Sequence, residues 1–596
     1  MRSAFFGLET ARKAITASQK AMDITMHNIA NAQTKGYTRQ RLDLVSIDIS
    51  RGGKFAPAQY IGNAGAGVLV SDITQVRDPL LDNRYRQLNA TAYDAGMRSD
   101  LLSDIEDVVD DVGGTGLTSK LEDFLKKLQN FSSSSADSAE HASTAQMSAQ
   151  NVLRTLRDYA KDLQGLTDTA KTEVDQSVLR VNEILKGIQE YNQQIFQNTI
   201  ANGPTANELY DKRNVLLDEL SQYMDFTVEP AFDNGVSYNM IQVKVNTDSG
   251  SVALVDGRNP ALQMEATYDA TSGLLTFTAD GGAHELKLGA GGLNGYMEIL
   301  NGTGSTPDNK GLPYYQETID AFTRTFAQAF NEANGAVDAD NKVIDASKLL
   351  FSSDSGGVAD IAADNIRIAD AWKDDPLMIA KIDGKLEYTD TPQKRAFPFK
   401  PGTEDATLLA NMGLVKNADG TYSRAAGKES WWVKDSTSVI GWKPTAASNL
   451  FTETNGVWAP KDATNWSATD EYALIPSLDT TQLAKIIGVF DKELPFTLDV
   501  GSGSTITKNY KLSGYVSSYT GDLANDISSF SGRYESSAKL ADGILDERDA
   551  VSGVSTEDEA VSMLNYQKWF NASSRILTAF DEMLDVIINS MGLVGR

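Results

Sequence analysis

The stretch HNIANAQTKGYTRQ, residues 27–40, is where a helix has to stop and an extended strand has to begin. Asn31 tolerates the left-handed backbone region and Gly36 enters it without steric cost, so the chain can reverse there. Downstream, Leu42, Leu44, Ile47 and Ile49 alternate as in a strand. Upstream, Phe5, Leu8, Ile15, Met22, Met26 and Ile29 fall on alternating steps of three and four, with Arg12 and Gln19 as polar exceptions. That spacing predicts a helix with one apolar stripe.

The other end of the chain repeats the feature. Ala560, Met563, Gln567, Phe570, Ser574, Leu577, Asp581, Leu584, Ile588 and Met591 keep the same steps, and seven of the ten are apolar, which makes a coiled-coil or bundle seam. Thr556 with Glu559 reads as a capping box at its head, as Thr205 with Glu208 does for a helix through Leu209, Leu216 and Leu220, and Gly592 stands where a C-terminal cap belongs. Opposite the seam, Asn565, Asn571, Ser573, Thr578 and Asn589 are polar but uncharged, where a solvent-bathed helix carries Glu and Lys. An isolated terminal helix is marginal in water. If the two ends bury one another, the termini meet and the middle projects outward.

Proline breaks helix interiors, so its positions show where long helices are impossible. None of the 15 lies in residues 1–56, between Pro79 and Pro204, or after Pro495, while eight fall from Pro376 to Pro495, and six of the seven tryptophans lie from Trp372 to Trp466. The expected organisation is α+β and multidomain: residues 1–60 plus 550–596 as a terminal coiled coil, and 61–355 plus 506–549 as a helical stem with β hairpins at about 226–290. Residues 356–505 are expected as an inserted, mainly β outer domain.

Composition narrows function. With 81 Asp plus Glu against 54 Lys plus Arg the net charge is −27, which disfavours nucleic acid as a partner. Residues 1–100 carry 13 basic and 9 acidic side chains, net +4, leaving 41 and 72, net −31, for the rest. No Cys and three His leave no thiolate chemistry and too few ligands for a zinc cluster, so neither metal nor cofactor is expected. No stretch of about 18 apolar residues occurs, so no membrane partner is expected. Arg12 and Lys13 interrupt any secretory signal core, which by itself reads as cytosolic. Catalytic motifs are missing too: no Gly-x-Ser-x-Gly elbow, HExxH helix or Walker A loop is present, and no catalytic residue is expected. Asp338-Ala339-Asp340-Asn341 begins like a calcium loop but lacks the Gly and closing Glu, leaving a polar turn. Trp431, Trp432, Trp442, Trp458 and Trp466 fill the core of a small domain or stack on sugars; burial of all five indoles would end the second reading.

Asn28-Ile29-Ala30-Asn31, two residues, Thr34, one residue, Gly36-Tyr37 resembles the N-terminal signature of bacterial flagellar axial proteins, the rod, hook and hook-associated proteins. The continuation Thr38-Arg39-Gln40 is similar to the hook-associated protein one family, with Thr for Ser, and Lys35 stands where Pro is frequent. So are NELYDKRNVLLDELSQ (207–222), GGLNGYMEIL (291–300) and the run from Met563 to Gln567 with Ala572, Ser573, Arg575, Ile576 and Glu582 to Asp585. The resemblance spans roughly 1–100, 200–350 and 510–596.

It implies a structural, non-enzymatic subunit of the hook–filament junction, with hook or rod subunit, or a scaffold carrying a carbohydrate-binding adhesin insert, as alternatives. It also implies signal-independent type III export, which removes the cytosolic reading and places the protein outside the cell. The implied partners are copies of itself, the hook protein, a second junction protein or flagellin, and an export chaperone at the C-terminal helix. Under that reading Phe5, Leu8, Ile15, Met22, Ile29, Met563, Phe570, Leu577, Leu584 and Ile588 form the assembly interface. Asn28, Ala30, Asn31, Thr34, Gly36, Tyr37, Arg39 and Gln40 form the signature.

Overall fold

The computed structural model describes residues 4–47, 67–109, 116–133, 138–201, 206–269, 272–389, 406–418, 421–434, 442–445, 451–454, 457–460, 473–478, 480–501 and 503–586. Its helices are α1 (Ala4–Asn31), α2 (Pro79–Val109), α3 (Leu117–Ser133), α4 (Ser138–Ile200), α5 (Asn207–Tyr223), α6 (Gly292–Asn301), α7 (Leu312–Ala333), α8 (Asp370–Asp374), α9 (Ala406–Met412), α10 (Thr480–Gly488), α11 (Leu512–Ser552) and α12 (Thr556–Asp585). Small antiparallel sheets complete an α+β fold in which helix predominates.

α1 and α12 pack side by side. On α12 the partly buried face is Met563, Tyr566, Phe570, Ser573, Leu577, Phe580 and Leu584. Met563, Phe570, Ser574, Leu577 and Leu584 are expected positions; Ala560, Gln567 and Asp581 are exposed, and the neighbours Tyr566 and Phe580 replace the last two. A heptad accepts either three-then-four or four-then-three steps, and burying Tyr566 and Phe580 gains apolar area that Gln567 and Asp581 cannot supply. On α1 the buried residues are small apart from Ile24: Ala11, Ala17, Ser18, Ala21, Ile24, Thr25 and Asn28 are buried, whereas Leu8, Ile15, Met22 and Ile29 are half-buried and Met26 is exposed. Gly7 lies against the Phe580 ring, where a Cβ would collide. Large rings on one helix thus meet a face without bulk on the other. Phe5 lies in α1, but its side chain, like Ile588, falls outside the described residues.

Strands β1 (Gln40–Ser46) and β2 (Val68–Gln75) form an antiparallel ribbon alongside α1. The proline-free interval yields α4, 63 residues without a break, and α11 lies along α2. The stretch expected to hold hairpins gives β3 (Thr227–Pro230), β4 (Ile241–Thr247), β5 (Gly250–Asp256), β6 (Met264–Tyr268), β7 (Leu275–Ala279) and β8 (His284–Lys287), one antiparallel sheet. Its strand β4 begins only at Ile241, because Tyr238 and Asn239 adopt positive φ in the turn before it.

The core runs through α3, α4, α7 and α11. Phe322 and Phe326 stack at 6.0 Å between centroids, and Phe496 stacks on Tyr515 at 4.0 Å. Val358, Ile361, Trp372, Leu483 and Phe496, all inside the stretch expected to be a separate insert, belong to this same core. Trp372 is fully buried and meets Phe351 edge-on at 5.6 Å. Beyond it the chain leaves and returns through one antiparallel pair, Lys381–Thr389 with Ala473–Leu478. Between these lie α9 and the hairpins 414–416/422–424, 432–434/442–444 and 451–454/457–460.

Capping differs from the sequence reading at two places. At the head of α12 it is Ser555, not Thr556, that accepts the Asp558 N–H, which releases Glu559 for another partner. Residue Ala206 precedes α5 without a side-chain cap, and Thr205 lies outside the described residues, as does Gly592.

Candidate functional site

The loop after α1 that carries the signature residues leads into β1 and touches α5, α11 and α12. Asn28 is buried and clamps the start of β1: its amide donates to the Gln40 carbonyl at 2.9 Å, while its Oδ1 accepts the Gln40 N–H at 3.0 Å and the Tyr37 hydroxyl at 2.7 Å. One side chain thus supplies the donor and acceptor that a neighbouring strand would offer. Burial pushes the Tyr37 phenol up, so it keeps the proton it donates. Asn31 stays out of the left-handed region and instead bonds back to the His27 carbonyl, with Thr34 donating to its Oδ1. Gly36 takes a φ of +78°, and a Cβ there would strike Val215 of α5. Ala30 is exposed on the last turn of α1.

The next two residues bind in opposite directions. Thr38 is buried against the stem: its N–H donates to Asp211 of α5 at 3.3 Å and its hydroxyl accepts from Arg77 at 3.1 Å. Arg39 reaches the C-terminal side, with its backbone N–H on the Ser552 carbonyl at 2.8 Å and its Nε on Glu559 of α12 at 2.7 Å. Three segments far apart in sequence therefore meet at two consecutive residues.

Behind the loop lies an ion network that sequence reading missed. Arg77 grips Asp82 at 2.6 and 2.9 Å, Arg86 donates to Asp218 at 2.8 Å, and Arg548 of α11 donates to Asp218 at 2.8 Å and packs over the Tyr85 ring at 4.7 Å. Burial alone would push the Asp218 carboxyl up, but Arg86 and Arg548 outweigh it and hold the group below its ordinary range. Asp211, by contrast, is raised by burial against the pull of Thr38, Arg77 and Gln75. The available signal was the seven-residue spacing of Asp211 and Asp218 in α5, which places both on one helix face.

Two clefts flank the loop. The larger, about 990 Å³, is lined by residues including Lys35, Arg39, Arg77, Tyr85, Asp218 and Arg548; the smaller, about 480 Å³, by residues including His27, Tyr37, Tyr191, Glu208, Asp211 and Leu216. Among the described residues no group of His, Asp and Glu is arranged to hold a metal ion, and no helix is long and apolar enough to cross a membrane.

The Arg39–Glu559 pair permits a direct test of these contacts. Glu559 is almost fully buried and Arg39 is about one-third exposed, so Arg39→Glu or Glu559→Arg alone should cost about 1–3 kcal/mol, and the double exchange should recover part of that. Denaturant unfolding of the four proteins measures the coupling; strict additivity would assign the contact no role.

Three family models match. Residues 102–344 match the flagellar hook-associated protein FlgK helical domain, 548–591 the flagellar basal body rod FlgEFG protein C-terminal, and 8–38 the flagella basal body rod protein. Flagellar hook-associated protein 1 of Bacillus subtilis is 26% identical over 100% of both chains. That of Salmonella typhimurium is 23% identical over 97% of this chain and 98% of its own, and that of Escherichia coli 22% over 98% and 99%. A solved structure titled as the flagellar hook junction protein FlgK from Burkholderia pseudomallei aligns over 79% of this chain and 100% of its own at a TM-score of 0.48 and 13% identity. Both ends, the middle and the full length of the chain are thus similar to flagellar hook-associated protein 1 and to the flagellar family models that match it.

Proposed function

We propose that the protein is a structural subunit of the bacterial flagellum that polymerises at the distal end of the hook to form the hook–filament junction. The observation that carries the polymer reading is a second apolar stripe on α12, left over after the face toward α1 is buried. Trp569, Ala572, Ile576, Ala579, Met583 and Val586 repeat at alternating steps of three and four and are all exposed. Such a stripe suits a neighbouring copy, with each α1–α12 pair lying against the next in a head-to-tail helical array. In this reading α1 and α12 form a coiled coil that lines the tube and 61–355 plus 506–549 surround it. The outer insert reduces from 356–505 to the part rooted at 381 and 478.

The partners that follow are the hook protein on one side and a second junction protein or flagellin on the other. The α12 stripe is also available to an export chaperone before assembly, and the chain is secreted by the flagellar type III route to work as a non-enzymatic component outside the cell. A hook or rod subunit is the second reading, favoured by the rod-family matches at both ends. Electron microscopy of a deletion strain separates the two: loss of a junction subunit leaves intact hooks without filaments and filament protein in the medium. Missing hooks would sink the junction assignment.

A further inference from the structure

We infer that the lobe built on the strand pairs 414–416/422–424 and 432–434/442–444 is a binding face for carboxylated polysaccharide, independently of the junction reading. The lobe has its own small core: Trp432 is buried, its indole N–H donating to the Met412 carbonyl at 2.8 Å, and Trp442 donates to the Tyr422 carbonyl, stitching the two hairpins together. Around that core the charge is opposite to the rest of the chain. Arg424, Lys428 and Lys434 stand within a protein of net charge −27, and none of the three has a carboxylate within 4 Å among the described residues. Glu429, the acidic side chain beside them, turns back to accept the Gly427 N–H at 3.0 Å.

Aromatic rings hold these cations instead. Lys428 Nζ lies 3.6 Å above the Trp431 ring, the Arg424 guanidinium 4.7 Å above Trp442, and Lys434 stands directly across the strand ladder from Trp442. Arg424 also donates to the carbonyls of Glu429 and Trp432, at 2.8 and 3.4 Å. A ring or carbonyl orients a cation without neutralising it, so the charge stays available to an anion. The same contacts cover one face of each half-buried indole, which opposes both neutral sugar stacking and the base stacking that single-stranded nucleic acid requires. A polymer of uronic acids fits: its carboxylates suit Arg and Lys, and its rings need no exposed aromatic face.

The test uses the intact chain on immobilised polygalacturonate, dextran and single-stranded DNA. Retention on polygalacturonate is expected at about 50 mM salt, with release by about 300 mM. The triple variant R424E/K428E/K434E should weaken binding about ten-fold or more, and R424K/K428R/K434R should retain it. Equal binding by wild type and the triple Glu variant, no retention on polygalacturonate, stronger retention on DNA, or salt-resistant retention on dextran would each overturn the proposal.

Discussion

Leu577→Asp and Phe570→Asp are each expected to detach α12 from α1 and to abolish incorporation into the flagellum, while the stem stays folded. Each places a carboxylate on the half-buried face and removes a large apolar group, a loss of about 2–5 kcal/mol by comparison with core truncations. Gln567→Glu and Asp581→Asn should be near neutral, since both positions face solvent. Ile576→Asp separates folding from assembly: its position is exposed in one chain, so the α1–α12 pair should survive and incorporation should not. Hydrogen exchange over 4–31 and 556–585 reads the pairing, and microscopy of complemented cells reads the assembly. Normal junctions in the Leu577→Asp strain would refute the assembly role of this face.

Asn28→Leu is expected to unlock the loop after α1. The leucine fills a similar volume but leaves the Gln40 N–H, the Gln40 carbonyl and the Tyr37 hydroxyl without their partner. Buried groups left unsatisfied cost about 1–3 kcal/mol each, so a total of about 3–6 kcal/mol is expected, less where water reaches the loop. Asn28→Asp keeps the acceptor but turns a second carboxylate oxygen toward the Gln40 carbonyl, so it should lose stability at neutral pH and regain part of it in acid, where the carboxyl is protonated and can donate. Exchange of the Gln40 and Arg39 amides should quicken by orders of magnitude in the Leu variant. Unchanged protection there would mean that the stem holds the loop without Asn28.

Much of this was legible in local pattern. The helix stop and the positive φ at Gly36 follow from residue type, and the helices between Pro79 and Pro204 from where proline is absent, though not where that interval divides into α2, α3 and α4. The buried face of α1 was not legible, because apolar periodicity weights Leu8, Ile15 and Met22, whereas close packing favours residues without bulk, as at Gly7 beneath the Phe580 ring. The network of Arg77, Asp82, Arg86, Asp218 and Arg548 was hidden for a different reason: its members come from separate helices, and charge pairing across a fold leaves no periodic trace. The boundary at 356 failed because clustered prolines mark the absence of long helices rather than the edge of a core. Trp372 shows the difference, lying among the clustered tryptophans yet buried against Phe351.

The long α4 connects the two ends of this organisation. Near its start Gln146 donates to the Trp372 carbonyl and Arg157 to that of Ile366; near its end Tyr191 lines the cleft beside the signature loop. Its 63 residues make a rod of about 95 Å at about 1.5 Å per residue. Such a rod is a lever arm: a tilt of about 5° at one end moves the far end by about 8 Å. Under the proposed junction reading, small adjustments in the bonds of Asn28, Thr38 and Arg39 would be magnified toward the far end of α4, a route by which one subunit shape could meet unequal neighbours.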